Sequence, residues 1–333
     1  MIGSRDNIIV WLLLTLVVAV IFLLQLLIGS YPLSVLEIFH AVPGTAAGDI
    51  FFQSRLPAAI AATIGGAALS LSGLQMQTYF KNPVAGPFVL GISSGASLGV
   101  AILIMLAGLL GFDQMNQWGL IIASSLGALV IFFLVMGISY RLHSAVSMLI
   151  IGLMIASFVS AIVETIQTLA TADSIKSYLF WTMGSYRNIS LAQTPVMVTV
   201  IAIATLISIY LIKPLNLLLI GEEYARLTGL NIRQNRILIV VSTCLLTGAV
   251  TAFCGPIGFV GLAVPHLARG IFKTSDHRIL TPAVLLIGAG VSGACNLLTG
   301  ISIHGLVLPI NTITSLIGAP FVIWIVYRSK ALR

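Results

Sequence analysis

Ile8-Ile9-Val10-Trp11-Leu12-Leu13-Leu14-Thr15-Leu16-Val17-Val18-Ala19-Val20-Ile21-Phe22-Leu23-Leu24-Gln25-Leu26-Leu27-Ile28 is a run of 21 residues without a charge, following Arg5. A helix of about 20 apolar residues crosses the hydrocarbon core of a bilayer. The run is longer than the apolar region of a signal peptide, and no A-x-A site follows it. It reads as a first span that stays in the chain. The rest of the chain repeats the pattern: of 333 residues, 59% are hydrophobic and only 8% charged. Soluble domains carry about 25% charged residues, so this composition cannot cover a water-exposed globule. The solvent is lipid.

Hydropathy and span length place ten spans at roughly 8–29, 56–79, 90–110, 118–139, 145–170, 192–212, 236–253, 258–272, 279–299 and 307–327. The expected fold is an all-α, polytopic transmembrane bundle of about ten spans, one domain over residues 1–333. Ten spans put both termini on one side. With the N-terminus cytoplasmic, Arg5, Lys81, Arg141, Lys213, Arg226, Arg233, Arg236, Arg269, Lys273, Arg278, Arg328, Lys330 and Arg333 fall inside. Only Arg55, Lys176 and Arg187 fall outside, which accounts for all 16 Lys and Arg. Positive residues favour the cytoplasmic side, so the chain is expected in a bacterial inner membrane with both termini in the cytoplasm. The acidic Glu37, Asp49, Asp113 and Asp173 fall in expected outer loops.

Several function classes drop out. The net charge of +7 comes without a basic cluster interleaved with aromatics, so nucleic acid is not an expected partner. Cys244, Cys254 and Cys295 lack C-x-x-C spacing and read as small core residues. No metal-ligand pattern and no bound cofactor is expected. Gly91-Ile92-Ser93-Ser94-Gly95 matches G-x-S-x-G, but the strand-to-helix turn and acid–His pair of a nucleophile elbow are missing. Glu164 is the sole acid well inside a span. An intramembrane carboxylate is a functional candidate, yet one is a thin basis for the alternative reading, an ion-coupled secondary transporter.

Three stretches carry more. The longest expected cytoplasmic loop, residues 213–236, centres on Gly221-Glu222-Glu223-Tyr224-Ala225-Arg226-Leu227-Thr228-Gly229-Leu230. Glu222 and Glu223 suit the first turn of a short helix, Gly229 its stop, and Asn231 the cap of a turn leading into Arg233 and Arg236. A capped knob at the membrane face is a docking element for a soluble partner. Gly255-Pro256-Ile257-Gly258-Phe259-Val260-Gly261 reads as a broken re-entry before a short helix, with His266 a structural histidine beside Arg269. Asn82-Pro83-Val84-Ala85-Gly86-Pro87 breaks an earlier pair of spans, and Gly86–Gly91 faintly echoes Gly255–Gly261, as in transporters built from internal repeats. Gly65, Gly66, Ala67, Ala68 and Gly73, and the stripe Gly91-x-x-x-Gly95-x-x-x-Gly99, are spaced for close helix packing.

Taken in order, Arg55-Leu56-Pro57, Gly65-Gly66-Ala67-Ala68-Leu69-Ser70-Leu71-Ser72-Gly73, Lys81-Asn82-Pro83-Val84-Ala85, Leu90-Gly91-Ile92-Ser93-Ser94-Gly95-Ala96, Gly221-Glu222-x-x-Ala225-Arg226-x-x-Gly229, Gly255–Leu262, Pro265-His266-x-x-Arg269, Asp276-His277-Arg278 and Ile317-Gly318-Ala319-Pro320 resemble the FecCD-type permeases of type II ABC importers for ferric siderophores, haem and vitamin B12. The resemblance runs from about residue 30 to the C-terminus. It implies a subunit that pairs with a second permease chain, identical or not, around a central pathway. A cytoplasmic ABC ATPase dimer holding ATP and Mg drives it, and an external substrate-binding protein delivers the cargo. It places ATPase coupling on Gly221, Glu222, Glu223, Ala225, Arg226, Gly229, Arg233 and Arg236. The fifth and tenth helices would line the pathway through Ser157, Ser160, Glu164, Gln167, Thr312 and Ser315. Arg55 matches an external docking arginine, with Lys176 and Arg187 as further candidates. Ala58 and Gly300 stand where the pattern has docking arginines, Asn296 where it often has an acid, and Val307 where it has a Glu.

Overall fold

The computed structural model describes residues 4–29, 34–39, 42–106, 116–139, 145–300 and 308–330. Ten helices carry the ten expected segments: α1 (Ser4–Leu27), α2 (Leu56–Tyr79), α3 (Ile92–Ala101), α4 (Gln117–Ser139), α5 (Ala145–Leu169), α6 (Thr194–Tyr210), α7 (Ile232–Cys254), α8 (Val260–Phe272), α9 (His277–Gly300) and α10 (Ile310–Lys330). Among the described residues, six helices are long and apolar enough to cross a membrane; α6 with the helix Ile212–Ile220, bent by 47° against it, makes a seventh. Ile92–Leu106, Val260–Phe272 and Ile310–Ile323 are shorter apolar helices. Pro214 accounts for the bend, because it has no N–H and its ring crowds the carbonyl four residues back. Lys213 therefore lies in a helix; only residues 221–231 form a loop-like knob, and Arg233 and Arg236 lie in the first turns of α7.

Helices sit side by side here through small residues and hydroxyls. Lipid tails are as apolar as leucine, so close backbone approach and interhelical hydrogen bonds decide which faces meet. A side chain on Gly66 of α2 would overlap Ser292 and the Gly288 carbonyl of α9; one on Gly73 would overlap the Gly261 backbone of α8. The hydroxyls of Thr63, Ser70 and Thr78 bond carbonyls four residues back on α2 at 2.7–2.9 Å, which satisfies them in apolar surroundings. Ser72 pairs with Thr247 of α7 at 2.8 Å, and Gln75 Oε1 accepts from Ser242 and Thr243 at 2.7 and 3.0 Å. Two apolar cores share α2 and α7. One gathers α6, α8, α9 and the start of α10; the other gathers α3, α4 and α5.

Gly95 and Gly99 pack against Gly127 and the Ala123 carbonyl of α4, as bundle packing requires. Gly91 does not extend that stripe. It caps the turn before α3 with φ +73°, the left-handed region where glycine carries no Cβ penalty.

The contacts also fix which helix ends lie together. Trp11 near the start of α1 lies against Phe272 at the end of α8, ring centroids 4.7 Å apart and planes tilted by 35°. Asn311 at the start of α10 bonds the Gly258 N–H just before α8. α1 therefore begins, and α10 ends, at the end of the bundle that carries the knob.

Candidate functional site

The knob is built as its sequence suggests. Gly221 has φ +147° and opens the helix Glu222–Leu227. Gly229 has φ +83°; its N–H donates to the Arg226 carbonyl at 2.9 Å and the Leu230 N–H to the Ala225 carbonyl at 3.0 Å. These two bonds are the 5→2 and 6→1 pair of a Schellman stop. Asn231 Oδ1 then accepts from the Gln234 N–H at 3.0 Å and starts α7. Ala225 is fully buried. Arg236 holds Glu222 at 3.6 Å and lies 5.8 Å over the Tyr79 ring of α2. What remains outward is Glu223, Tyr224, Arg226 and Leu227, with Leu227 86% exposed.

Beneath the knob lies a network the sequence did not announce. Asn216, on the helix Ile212–Ile220, donates from Nδ2 to Asp276 at 2.6 Å; its Oδ1 accepts from the His277 N–H and from Nδ1 of the same ring, both at 2.9 Å. The other ring nitrogen meets the Thr78 hydroxyl at 3.0 Å. Arg269 donates to Gln77 at 2.6 Å, Gln77 to the Leu262 carbonyl at 3.1 Å, and His266 Nε2 to the Pro83 carbonyl at 2.7 Å. His266 thus ties the break at residues 82–87 to α8. The Arg278 N–H, with Asn216, holds the Asp276 carboxyl below its ordinary pKa.

At the far end the chain breaks between α7 and α8. Asn311 organises the break: Oδ1 accepts from the Gly258 N–H at 2.9 Å, while Nδ2 donates to the carbonyls of Pro256 at 2.7 Å and Thr182 at 3.2 Å. Irregular backbone at membrane depth is tolerated where protein satisfies it, and one side chain does much of that here. Asn311 carries no motif signal; an amide at the start of an apolar helix, just after Pro309, was the available clue.

The expected outer residues divide by exposure. Lys176 is exposed on the helix Ala172–Thr182. Arg55 is 8% exposed, donates to the Ile28 carbonyl and packs over Gly29. Arg187, half-buried, lies close enough for its charge to act on Arg55. Glu37 is bound by the Ser34 N–H and hydroxyl, Asp49 by the Gly44 N–H. Asp113, Arg141 and Val307 lie outside the described residues.

Of the expected pathway residues, Ser160, Glu164 and Gln167 of α5 line one cleft of about 340 Å³ with Ser93, Ser94 and Ser97 of α3 and Tyr178 of the outer helix. Ser157 is exposed and bonds the Leu153 carbonyl on its own helix. Thr312 is exposed and Ser315 half-buried on α10, which packs on α8 and α9, whereas α5 packs on α3 and α4. The serines of the G-x-S-x-G match belong to this cleft, and Ser93 meets Thr251 at 3.4 Å. A larger groove of about 430 Å³ between α4, α6 and α7 is walled by side chains such as Trp118, Leu129 and Phe253, with Ser125 its one hydroxyl.

This bundle, with its knob and broken helices, has known counterparts. The model of the FecCD transport family matches residues 16–328. The chain belongs to the FecCD transport family. It is 34% identical over 287 residues to the vitamin B12 import system permease protein BtuC of Klebsiella pneumoniae, covering 86% of this chain and 85% of that protein. The Salmonella typhimurium protein of that name matches at 34% over 286 residues, covering 86% of each. A solved structure described as an inward-facing conformation of a metal-chelate type ABC transporter superposes with a TM-score of 0.84 at 28% identity, covering 95% of this chain and 97% of that one. PsaBC from Streptococcus pneumoniae shares the fold, with a TM-score of 0.54 at 14% identity. The chain is a multi-pass membrane permease of the ABC importer kind, a transport subunit rather than an enzyme.

Two departures from the FecCD pattern now have local accounts. Asn296 of α9 donates to Gln25 of α1 at 2.8 Å, so two neutral amides tie these helices where a carboxylate would need a counter-charge. Gly300 leaves room for Arg187: a Cβ there would overlap its Nη2. A guanidinium from another part of the chain thus sits over the position where the pattern has an arginine. Ala58 is buried in α2, and nothing in its surroundings explains its departure.

Proposed function

We propose that this chain is the membrane subunit of an ATP-driven importer for an iron chelate, a ferric siderophore in the first instance, with haem and cobalamin the other cargoes of the same class. It would lie with its knob and both termini in the cytoplasm, pair with a second permease chain, and receive cargo from an external binding protein. The observation that carries this reading is the knob. It is a short helix stopped at Gly229 and anchored to α2 and α7, presenting Tyr224, Arg226 and Leu227 to solvent on a chain of almost continuous membrane helices.

The knob's anchoring suggests how it would work. When a partner ATPase dimer closes on ATP and Mg, a docked knob would be displaced. Arg236 over Tyr79 and Asn216 beside His277 and Thr78 carry that displacement to the end of α2 by two routes. At the far end, Arg187 over Gly300 and exposed Lys176 are the cations offered to acidic groups on a binding protein. Arg55 is buried against Ile28 and would join them after a local rearrangement.

The test is Gly229→Pro. Proline cannot adopt φ +83° and removes the N–H that closes the knob. Transport and co-purification of an ATPase bearing Walker motifs should both be lost while membrane insertion persists. Normal uptake by that variant would sink the coupling assignment. A wild-type chain that purifies alone, under conditions that keep known importers intact, would favour an ion-coupled carrier.

A further inference from the structure

The cleft between α3, α5 and the outer helix Ala172–Thr182 is lined largely by polar side chains, unlike the apolar groove between α4, α6 and α7. Ser94, Ser97, Ser160, Gln167 and Tyr178 give it hydroxyls and an amide, and Glu164 gives it a carboxylate. Among the described residues, no hydrogen bond or ion pair engages the Glu164 carboxylate. It is exposed, which is consistent with water in the cleft, since an unpaired carboxylate against lipid is costly.

The charge around this carboxylate is lopsided. From Asn82 to Ile175 the only Lys or Arg is Arg141, which precedes α5. Glu164 lies 164 − 145 = 19 residues past the start of α5, about 28 Å of helix. The nearest cation in sequence on the other side is Lys176. It stands two residues from Tyr178, roughly 200° around the outer helix, so it points away from the cleft that Tyr178 lines. Nothing described there neutralises Glu164.

We infer that this cleft is a cargo-passing wall with a fixed negative potential, matched to neutral or cationic ferric chelates of the trihydroxamate kind and opposed to polyanionic tris-catecholates. The inference rests on the importer reading and narrows its cargo class. Serine hydroxyls and the Gln167 amide donate to and accept from the oxygen-rich surface of a neutral chelate without holding it tightly. Glu164 only accepts hydrogen bonds when ionised, and low-dielectric walls extend the reach of its charge. A multiply anionic complex passing it meets repulsion with no nearby cation to offset it.

The test measures the potential directly. Ser160→Cys, one helical turn from Glu164, and Ser94→Cys across the cleft are introduced into the full chain in its native membrane. They are labelled from outside with cationic, anionic and neutral methanethiosulfonates. The three native cysteines are buried and serve as background. The cationic-to-anionic rate ratio, normalised to a free thiol, should exceed unity by about tenfold and fall towards unity with Glu164→Gln. The neutral reagent reports folding and access in every variant. If the neutral reagent reacts but the ratio equals that of a free thiol, or if no reagent reaches either cysteine, the inference is overturned. In cells, Glu164→Lys should cut uptake of the neutral or cationic cargo severalfold. A wild-type cargo that proves to be a tris-catecholate trianion would overturn the charge class. Neither result depends on recovery of an ATPase, so loss of the importer reading is distinguishable from loss of this one.

Discussion

Helices α2, α7 and α9 and helices α1, α4 and α5 are all apolar enough to span a membrane but opposite in place, and the second set is the more apolar. In the span windows of the first set, 72%, 67% and 67% of residues are buried; in the second, 6%, 28% and 17%. The buried set is joined by glycine–carbonyl contacts and hydroxyl or amide bonds, such as Gly66 on Gly288 and Gln75 on Ser242. The exposed set turns Leu12, Leu16, Val130, Phe133, Met154 and Phe158 outward. In lipid, high hydrophobicity marks the outward-facing helices rather than the core. Small residues and polar pairs mark the inside.

The sharpest way to break that comparison is a matched pair of substitutions. Gly66→Leu should prevent folding, because its side chain would meet Ser292 and the Gly288 backbone, and backbone cannot give way cheaply. Phe158→Ala removes a far larger group from an exposed face and should shift stability by no more than about 0.5 kcal/mol. The yield of monodisperse protein and its thermal unfolding in detergent are the measurements. Equal damage from both would mean that packing in α2 is not set by its small residues.

A smaller effect separates the two ends of the molecule. Asn216→Ala takes three hydrogen bonds from the knob end and leaves Asp276 and the His277 ring short of partners. Loss of a buried partner costs about 1–3 kcal/mol. If the network transmits motion, transport should fall more than ATPase association does. A variant with normal transport and lowered unfolding temperature would make the network a staple only.

Spans and knob were legible because each rests on local chemistry. Uncharged length marks a span, Gly221 and Gly229 mark the ends of a short helix by their backbone preferences, and the Asn231 side chain marks the start of the next. The neighbours of each span were not legible, because partner choice rests on contacts between residues up to 271 positions apart, such as Asn216 with Asp276 and Gln25 with Asn296. The cleft was half visible. Ser160, Glu164 and Gln167 fall on one face of one helix, but the α3 serines join them only once α3 and α5 pack together. Lys213 was expected in the loop because hydropathy and span length end the sixth span near residue 212, yet the helix resumes after the bend and carries Asn216, which ties it to Asp276 and His277.

The smallest effect is expected from Asp276, which is why it separates charge from shape at the knob end. Its carboxylate accepts from the Arg278 N–H and from Asn216, so its folded pKa lies below its ordinary value. The sign follows from linkage. A depressed carboxylate contributes stability in full above its unfolded pKa of about 4, and that contribution is lost as pH falls through the folded value. The unfolding temperature of the wild type should therefore drop more steeply on acidification below about pH 4 than that of Asp276→Asn, which keeps the acceptor oxygen but cannot titrate. At neutral pH the wild type should unfold at a slightly higher temperature than the variant, and the two should converge as Asp276 is protonated. Parallel acid profiles would place the acid sensitivity elsewhere. A large gap at neutral pH would mean that the charge, and not only the hydrogen bond, holds the turn between α8 and α9 against the knob-bearing helix.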